Sequence, residues 1–525
     1  FYIGNYPQAG TFYEERLCIG GAPLDPELVG CSKIGTFEVF SPTDLTSNVL
    51  DDSGITFKVV SANVNAVQWL SGLNSLIVGT AGAEFKVDSG SESKAFTPTT
   101  VTRKLQTTNG SGFNTKRCPI VATNNAVIYV DKTGQGIFET IYDSNLLGYK
   151  SNSLNLLNEH ILREGSYVVD MAFQRSRNSI IWIALANGKL ASMTYLPAQE
   201  VIGWATHQIG GSLSGELNAF VESVACIPTA DGTEDQLWMV VRRTINGTTK
   251  RYIEYLKSDF LPADATDKDS AFFVDCGLTY NDPKTITGAT AANPVVITSA
   301  GHGFTTGNRV RIKDIKGMTE LNGLNYTITV IGANTFSLDG IDGTAYSAYV
   351  SGGIARKHVS TVSGLTHLDG QTVGVFADGG LQVDKTVSGG AITLDYAASF
   401  IHVGLKYRAS LTTLPTEGGG NNGTSQGKFK RNNRVVVRVL NTMELRYREG
   451  NYVESLVDSN NKLNYLNYNF REFNDVMDEA PSLYTGDIEL DLLGEYNRDG
   501  IMTFISDDPL PLNILAIMPE GKVYG

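Results

Sequence analysis

The chain has 525 residues, of which 42% are hydrophobic and 18% charged, and its formal net charge is −13 at pH 7. It is too long for one ordinary core and too apolar to be disordered, so roughly two to four folded domains are expected. The acidic balance argues against tight nucleic-acid binding, which needs Lys and Arg to neutralise phosphates, and no run approaches the ~20 apolar residues a membrane-crossing helix requires.

The 55 glycines, 23 tyrosines and 22 phenylalanines accompany short Val/Ile/Thr runs set between Gly, Asn, Asp and Ser clusters. This is strand-and-turn composition. Helical periodicity is scarce, with short candidates at Ser153–Leu162 and Glu472–Met477. The five cysteines, at 18, 31, 118, 226 and 276, are odd in number and show no CxxC spacing. They predict neither a disulfide framework nor a zinc site, but free thiols in a reducing cytoplasm. The opening residues, beginning with Phe1, carry no signal-peptide pattern.

A loose repeat organises the chain. Asn65–Asp88 is an apolar run, a turn at Gly72–Asn74, a second run, a turn at Gly79–Gly82 and a third run. Val121–Asp143, Asp170–Tyr195 and Val221–Leu256 have the same shape, the last with an Asn246-Gly247 hairpin signal. Leu365–Val387 is a fifth copy. A spacing of about 50 residues with about four strands per unit is the pattern of β-propeller blades, which bury their faces only by stacking on neighbours. Trp69, Trp182 and Trp238 are expected at comparable inner-strand positions, packing between blades.

Ile286–Lys357 has its own Thr/Gly/Ile/Val composition and reads as a small β-module lodged in a loop, where insertions are tolerated. Gly418–Gly427 is a low-complexity tract, followed by the basic run Lys428–Arg434 and a separate β-region. The expected fold class is therefore all-β, with a propeller-like core, an inserted small β-barrel-like module and a C-terminal β-region. Its parts are residues 1–285, 286–357, 358–417 and 418–525.

Signs of catalysis are weak. Gly423-Thr-Ser425-Gln-Gly427 fits GxSxG and Gly418-x-Gly420-x-x-Gly423 fits GxGxxG, but neither has the strand–turn–helix setting its chemistry needs. The six histidines, at 160, 207, 302, 358, 367 and 402, show no metal-ligand spacing. The acidic pairs Asp51-Asp52 and Asp507-Asp508 read as turn chemistry before strands. No catalytic, cofactor or metal residue is assigned and no cofactor is expected.

Thr11–Phe40 contributes Glu14, Arg16, Leu17, Gly21, Pro23, Ser32, Gly35, Phe37 and Phe40 to a pattern that resembles a segment of short-tailed bacteriophage tail proteins. Ile55, Phe57, Val64, Ala66, Trp69, Leu70, Gly79, Thr80 and Glu84 continue it. Val221–Val224, Leu237–Gly247, Arg251–Glu254, Leu483–Asp487, Arg498–Gly500 and Asp508–Leu512 follow in order. Together these segments are similar to the tail nozzle family (tail tubular protein B, or stabilisation protein). The inserted module resembles the FCCH-type fold of the ubiquitin-activating enzyme through Gly301-His-Gly-Phe304, Gly317–Gly323, Tyr326 and Asn334–Phe336, and implies no ubiquitin chemistry.

The resemblance implies a non-enzymatic virion protein, assembled in the host bacterial cytoplasm. It implies a homo-oligomeric ring, usually of six copies, below the tail adaptor protein, with tail fibres or spikes at its side. Such a ring retains packaged double-stranded DNA and opens for ejection, passing the duplex without specific binding. An acidic wall suits that passage. A receptor-binding or polysaccharide-active tail propeller is the alternative and predicts a carboxylate or aromatic cluster in one concave site. A bacterial surface adhesin is a third reading, disfavoured by the cysteines and the opening residues.

Overall fold

The computed structural model describes residues 4–60, 65–91, 94–112, 119–123, 125–164, 167–213, 218–257, 268–417, 423–451, 465–471, 473, 475, 480–492 and 496–524. The chain divides into two compact units. The first comprises Phe1–His207, Ala219–Arg242 and Arg251–Leu256, and the second Gln208–Asn218, Arg243–Lys250 and Lys257–Gly525.

The first unit is built of consecutive antiparallel meanders, each strand pairing with the next in sequence. The strands are Ala9–Tyr13, Arg16–Ala22, Asp25–Cys31 and Ile55–Lys58, then Val67–Gly72, Leu76–Thr80, Glu84–Asp88 and Thr102–Thr107. A third meander runs Ile120–Ala122, Ala126–Val130, Ile137–Asp143 and Gly148–Ser153, and a fourth runs Val168–Gln174, Ile180–Leu185, Leu190–Leu196 and Val201–His207. Phe220–Pro228, Asp235–Ile245 and Thr248–Tyr255 form a three-stranded fifth, of which the hairpin residues Arg243–Lys250 are counted in the second unit.

The sequence explains the grading of burial across the second, third and fourth meanders. The second strands LIVGT and AVIYV are buried at every position. A strand covered on both faces loses the apolar–polar alternation of a half-buried one. The fourth strands, TRKLQT and VIGWATH, are mostly exposed. This gradient from covered inner strands to a solvated outer strand defines propeller-like blades. One apolar cluster joins Trp69 and Ile77 to Ile128, Tyr129, Ile181 and Met193. A second joins Val29, Ile55 and Phe57 to Leu70, Val78 and Phe85. Each blade thus supplies its neighbour's core.

The predicted copies at Asn65–Asp88, Val121–Asp143, Asp170–Tyr195 and Val221–Leu256 each hold three of these strands. The blade Ala9–Lys58 was not among the predicted copies. Its first turn is Glu14-Glu15, both at positive φ of 43° and 57°, where Asn-Gly is the usual signal. Asn246-Gly247 is such a turn, at φ 47° and 71°. The tryptophans differ from expectation, since Trp69 lies on a first strand while Trp182 and Trp238 lie on second strands. The helix within Ser153–Leu162 is short and late, Glu159–Glu164, and most of Glu472–Met477 lies outside the described residues.

Cys18 and Cys31 are directly opposed on paired strands, 4.0 Å apart between Cα atoms, and form a disulfide. This corrects the expectation of free thiols: an odd count and absent CxxC say nothing about two cysteines that a hairpin brings face to face. Closing a loop of this length stabilises by about 3 kcal/mol in the chain-entropy account. Alkylation of unreduced, unfolded protein is expected to label two fewer thiols than after reduction, as read by intact mass. Equal labelling would contradict the bond.

In the second unit the insertion interrupts a sheet. Asp275–Asn281 pairs with Phe400–Leu405, which pairs with Thr372–Ala377 and then Gly380–Thr386. The fifth predicted copy therefore supplies only the last two strands of that sheet. The module's seven strands run, in order, Pro283–Thr285, Ser351–Lys357, Arg309–Lys316, Asn325–Gly332, Thr335–Leu338, Val296–Thr298 and Gly288–Ala289. Both edge strands come from one bent segment, with Ile286 buried at the bend, so the sheet curls upon itself. In the C-terminal region Phe429–Thr442 lies between Tyr484–Asp491 and Ile514–Tyr524. Met502–Ser506 pairs with Arg446–Glu449 and with Ala409–Thr412.

Candidate functional site

The residues singled out as chemical candidates are each bound into local structure. The Ser425 hydroxyl donates to the Thr416 carbonyl and its amide to Glu417 Oε1 at 2.8 Å. The next element is the strand Phe429–Thr442, not the helix a nucleophile elbow requires. Gly418 and Gly420 of the GxGxxG match lie outside the described residues.

Within the basic run Arg434 is charge-compensated, and Lys430 and Arg431 have neutral partners. Lys430 is 3% exposed and donates to the Thr416 carbonyl at 2.6 Å. Arg434 pairs with Glu489 at 2.6 Å and Glu520 at 2.8 Å, and Arg431 stacks over Tyr496.

Five of the six histidines have partners in the packed structure. His302 bonds through Nε2 to the Gly332 carbonyl and accepts at Nδ1 from the Phe304 amide, between Phe304 and Phe336. His358 meets the Ala397 carbonyl and Asn325, and His367 the Cys276 carbonyl. His160 is exposed on the short helix. His402 donates from Nε2 to the Asp269 carbonyl at 2.9 Å, leaving Nδ1 to accept from Thr279 Oγ1 at 2.7 Å. One neutral tautomer satisfies both bonds, and burial depresses His402 to about 4. His207, bonded to Ser192 and against Trp182, is likewise lowered to about 4 by burial.

The pH consequence has a definite sign. As pH falls from about 6.5, the unfolded imidazole gains a proton that the folded one does not take up until about 4. Stability contributed by neutral His402 is therefore lost across that window. Melting temperature measured from pH 7 to 4 is expected to fall less steeply in His402→Gln than in the unmodified chain. Equal slopes would contradict the assignment.

Two polar assemblies dominate the second unit. Asp269 is 2% exposed, accepts from Lys313 Nζ at 2.7 Å and lies 3.3 Å from Arg311 Nη1, which also reaches Asp378. These bonds fix the inserted module to the sheet that it interrupts. Asp507 and Asp508 lie in the connection between the strands Met502–Ser506 and Ile514–Tyr524. Asp507 pairs with Arg408 and Arg446, and Asp508 with Arg446 and Lys406. Glu444 accepts from Ser506 at 2.6 Å and from Arg446 at 3.1 Å, and burial raises its pKa. Asp51-Asp52 precede Ile55–Lys58 as expected, with Asp52 paired to Lys33. This is the chemistry of a held junction, because every carboxylate here is matched by a fixed cation or donor. Among the described residues no group of three or more His, Cys, Asp or Glu is arranged to hold a metal ion, and no helix is long and apolar enough to cross a membrane.

What the sequence marked more usefully is a set of scaffold residues. Arg16 is fully buried and bonds the carbonyls of Ser32, Ser53 and Asp51 at 2.7, 2.7 and 2.8 Å. Gly21 has φ 73°, and a Cβ there would lie 2.3 Å from the Val67 carbonyl oxygen, so no side chain fits. Trp69 lies across Gly79. Val64 lies outside the described residues. In the module Gly317 has φ 93°, with only 2.2 Å from a Cβ to the Ala348 carbonyl oxygen. Asn322 there bonds both the amide and the carbonyl of Ile315.

The family model "Ubiquitin-activating enzyme E1 FCCH domain" matches residues 293–358, within the inserted module. Over 149 residues the chain is 31% identical to mouse ubiquitin-like modifier-activating enzyme 6, a match covering 26% of this chain and 13% of that one. Over 72 residues it is 42% identical to rabbit ubiquitin-like modifier-activating enzyme 1, covering 13% of this chain and 7% of that protein. The chain thus spans a small fraction of these relatives. Among solved structures, the Cps50 (Swd1) β-propeller domain of Myceliophteria thermophila aligns at TM-score 0.27 and 9% identity, over 48% of this chain and 73% of that one. A Lactobacillus plantarum protein aligns at TM-score 0.29 and 11% identity, over 66% of this chain and 87% of that one.

Proposed function

We propose that this chain is a structural, non-enzymatic subunit of a bacteriophage tail nozzle, a ring around the distal DNA channel that retains the genome and opens for ejection. The observation that carries this reading is where the family-like residues fall. Arg16, Gly21, Ser32, Trp69, Gly79 and Glu84 are buried in the first two blades, whereas Glu14, Pro23, Gly35 and Phe37 of the same pattern are exposed. The buried subset supports the reading as positions at which the packing of the blades restricts the residue type. A net charge of −13 and the pairing of Arg434, within the basic run, with two glutamates suit a wall along which duplex DNA slides without adhering.

In this reading six copies form a closed ring, as symmetric homo-oligomers do. The ring sits beneath the adaptor and offers lateral surfaces to fibres or spikes. Cryo-electron microscopy of intact virions is the test. Ring density on the channel axis distal to the portal, built from this chain, is the expected result. Density confined to peripheral appendages would overturn the nozzle and favour the receptor-binding or polysaccharide-active alternative.

A further inference from the structure

The C-terminal β-region holds a cleft of about 610 Å³, apart from the two polar assemblies of the second unit. Its size lies within the ~300–1,000 Å³ usual for small-molecule sites. The strand Arg446–Glu449 supplies Tyr447, Arg448 and Glu449, and Tyr465, Asn497 and Asp499 also line the cleft.

Their chemistry is specific. Two tyrosines, flat and largely apolar, line it, with the Tyr447 hydroxyl donating to the Asp491 carbonyl at 3.2 Å. Glu449 accepts from Asn497 Nδ2 at 2.9 Å, so a carboxylate and an amide are held at fixed spacing on the wall. Asn497 is itself oriented, its Oδ1 accepting the amides of Asp499 and Gly500. Asp499 is exposed at the rim. Arg448 lines the cleft, and its Nη1 is buried without a hydrogen-bond partner, an unusual state for a charged donor.

We infer that this cleft binds an uncharged oligosaccharide. Aromatic faces match the C–H faces of a pyranose ring, and the carboxylate–amide pair can both accept from and donate to ring hydroxyls. Two carboxylates to one guanidinium disfavour an acidic saccharide or a phosphate. The proposal goes beyond the nozzle reading and does not rest on it.

The test applies the full-length chain to an array of bacterial surface glycans, neutral and acidic. Saturable binding to neutral glycans is expected, weakened at least tenfold by Tyr447→Ala and by Asp499→Ala. Thermal melts verify folding. Should Tyr447→Ala unfold, the exposed Asp499→Ala still decides. Absence of binding, binding of acidic glycans only, or neutral binding that Asp499→Ala leaves unchanged overturns the proposal. Loss of virion ring density would leave it standing, so the two readings fail separately.

Discussion

Arg16→Met is expected to lower the melting temperature of the first unit by ~10 °C. All four tryptophans, Trp69, Trp182, Trp204 and Trp238, lie in that unit, so tryptophan emission reports its unfolding selectively. The Arg16 guanidinium joins the first blade's hairpin to the long connection before its last strand, through the carbonyls of Ser32, Asp51 and Ser53. Burial lowers its pKa while Asp52 and Glu14 raise it again. Methionine keeps most of the volume but strands those buried carbonyl oxygens, each costing about 1–3 kcal/mol. A total near 3–4 kcal/mol at about 2–4 °C per kcal/mol gives the expected shift. Arg16→Lys rescues little, because an ammonium cannot reproduce the planar fork. A shift below about 2 °C in Arg16→Met, less than 1 kcal/mol would produce, would show that water or backbone relaxation replaces these bonds.

Gly79→Ala is expected to be nearly as damaging, and only while Trp69 is present. A Cβ at position 79 would lie 1.9 Å from Trp69 Cε2. The ring is held in place, its Nε1 donating to Ser111 Oγ at 2.8 Å and its face against Tyr129 of the next blade at 5.2 Å. Overpacking of this kind costs about 1–3 kcal/mol or more, and Trp69→Ala about 3–5 kcal/mol from the cavity it leaves. In the double variant the new methyl enters that cavity, so its cost falls well below the sum of the two. A double-mutant cycle on the same emission transition, followed through the three remaining tryptophans where Trp69 is replaced, measures the coupling. Additive effects would mean that the ring can leave without disturbing the blades.

The sequence by itself determined the all-β class, the period of the strand clusters and the presence of a separate β-module beginning near Ile286. Each rests on local information: apolar runs of strand length, turn residues between them, and a change in composition at Ile286. It also marked Arg16, Gly21, Trp69 and Gly79 through resemblance, without saying why those residue types are required. Tertiary structure decided the rest, because the deciding partners lie far along the chain. The Glu14-Glu15 turn hid the first blade, since side chains at positive φ leave no Gly or Asn signal. Cys18 and Cys31 became a bonded pair only when two strands set them in register. Arg434 of the basic run is paired with Glu489 and Glu520, 55 and 86 residues away in sequence. The saccharide cleft joins residues near 447, 465 and 497 that share no sequence pattern. Periodicity is written in close sequence neighbours, whereas pairing, compensation and concavity exist only once distant strands meet.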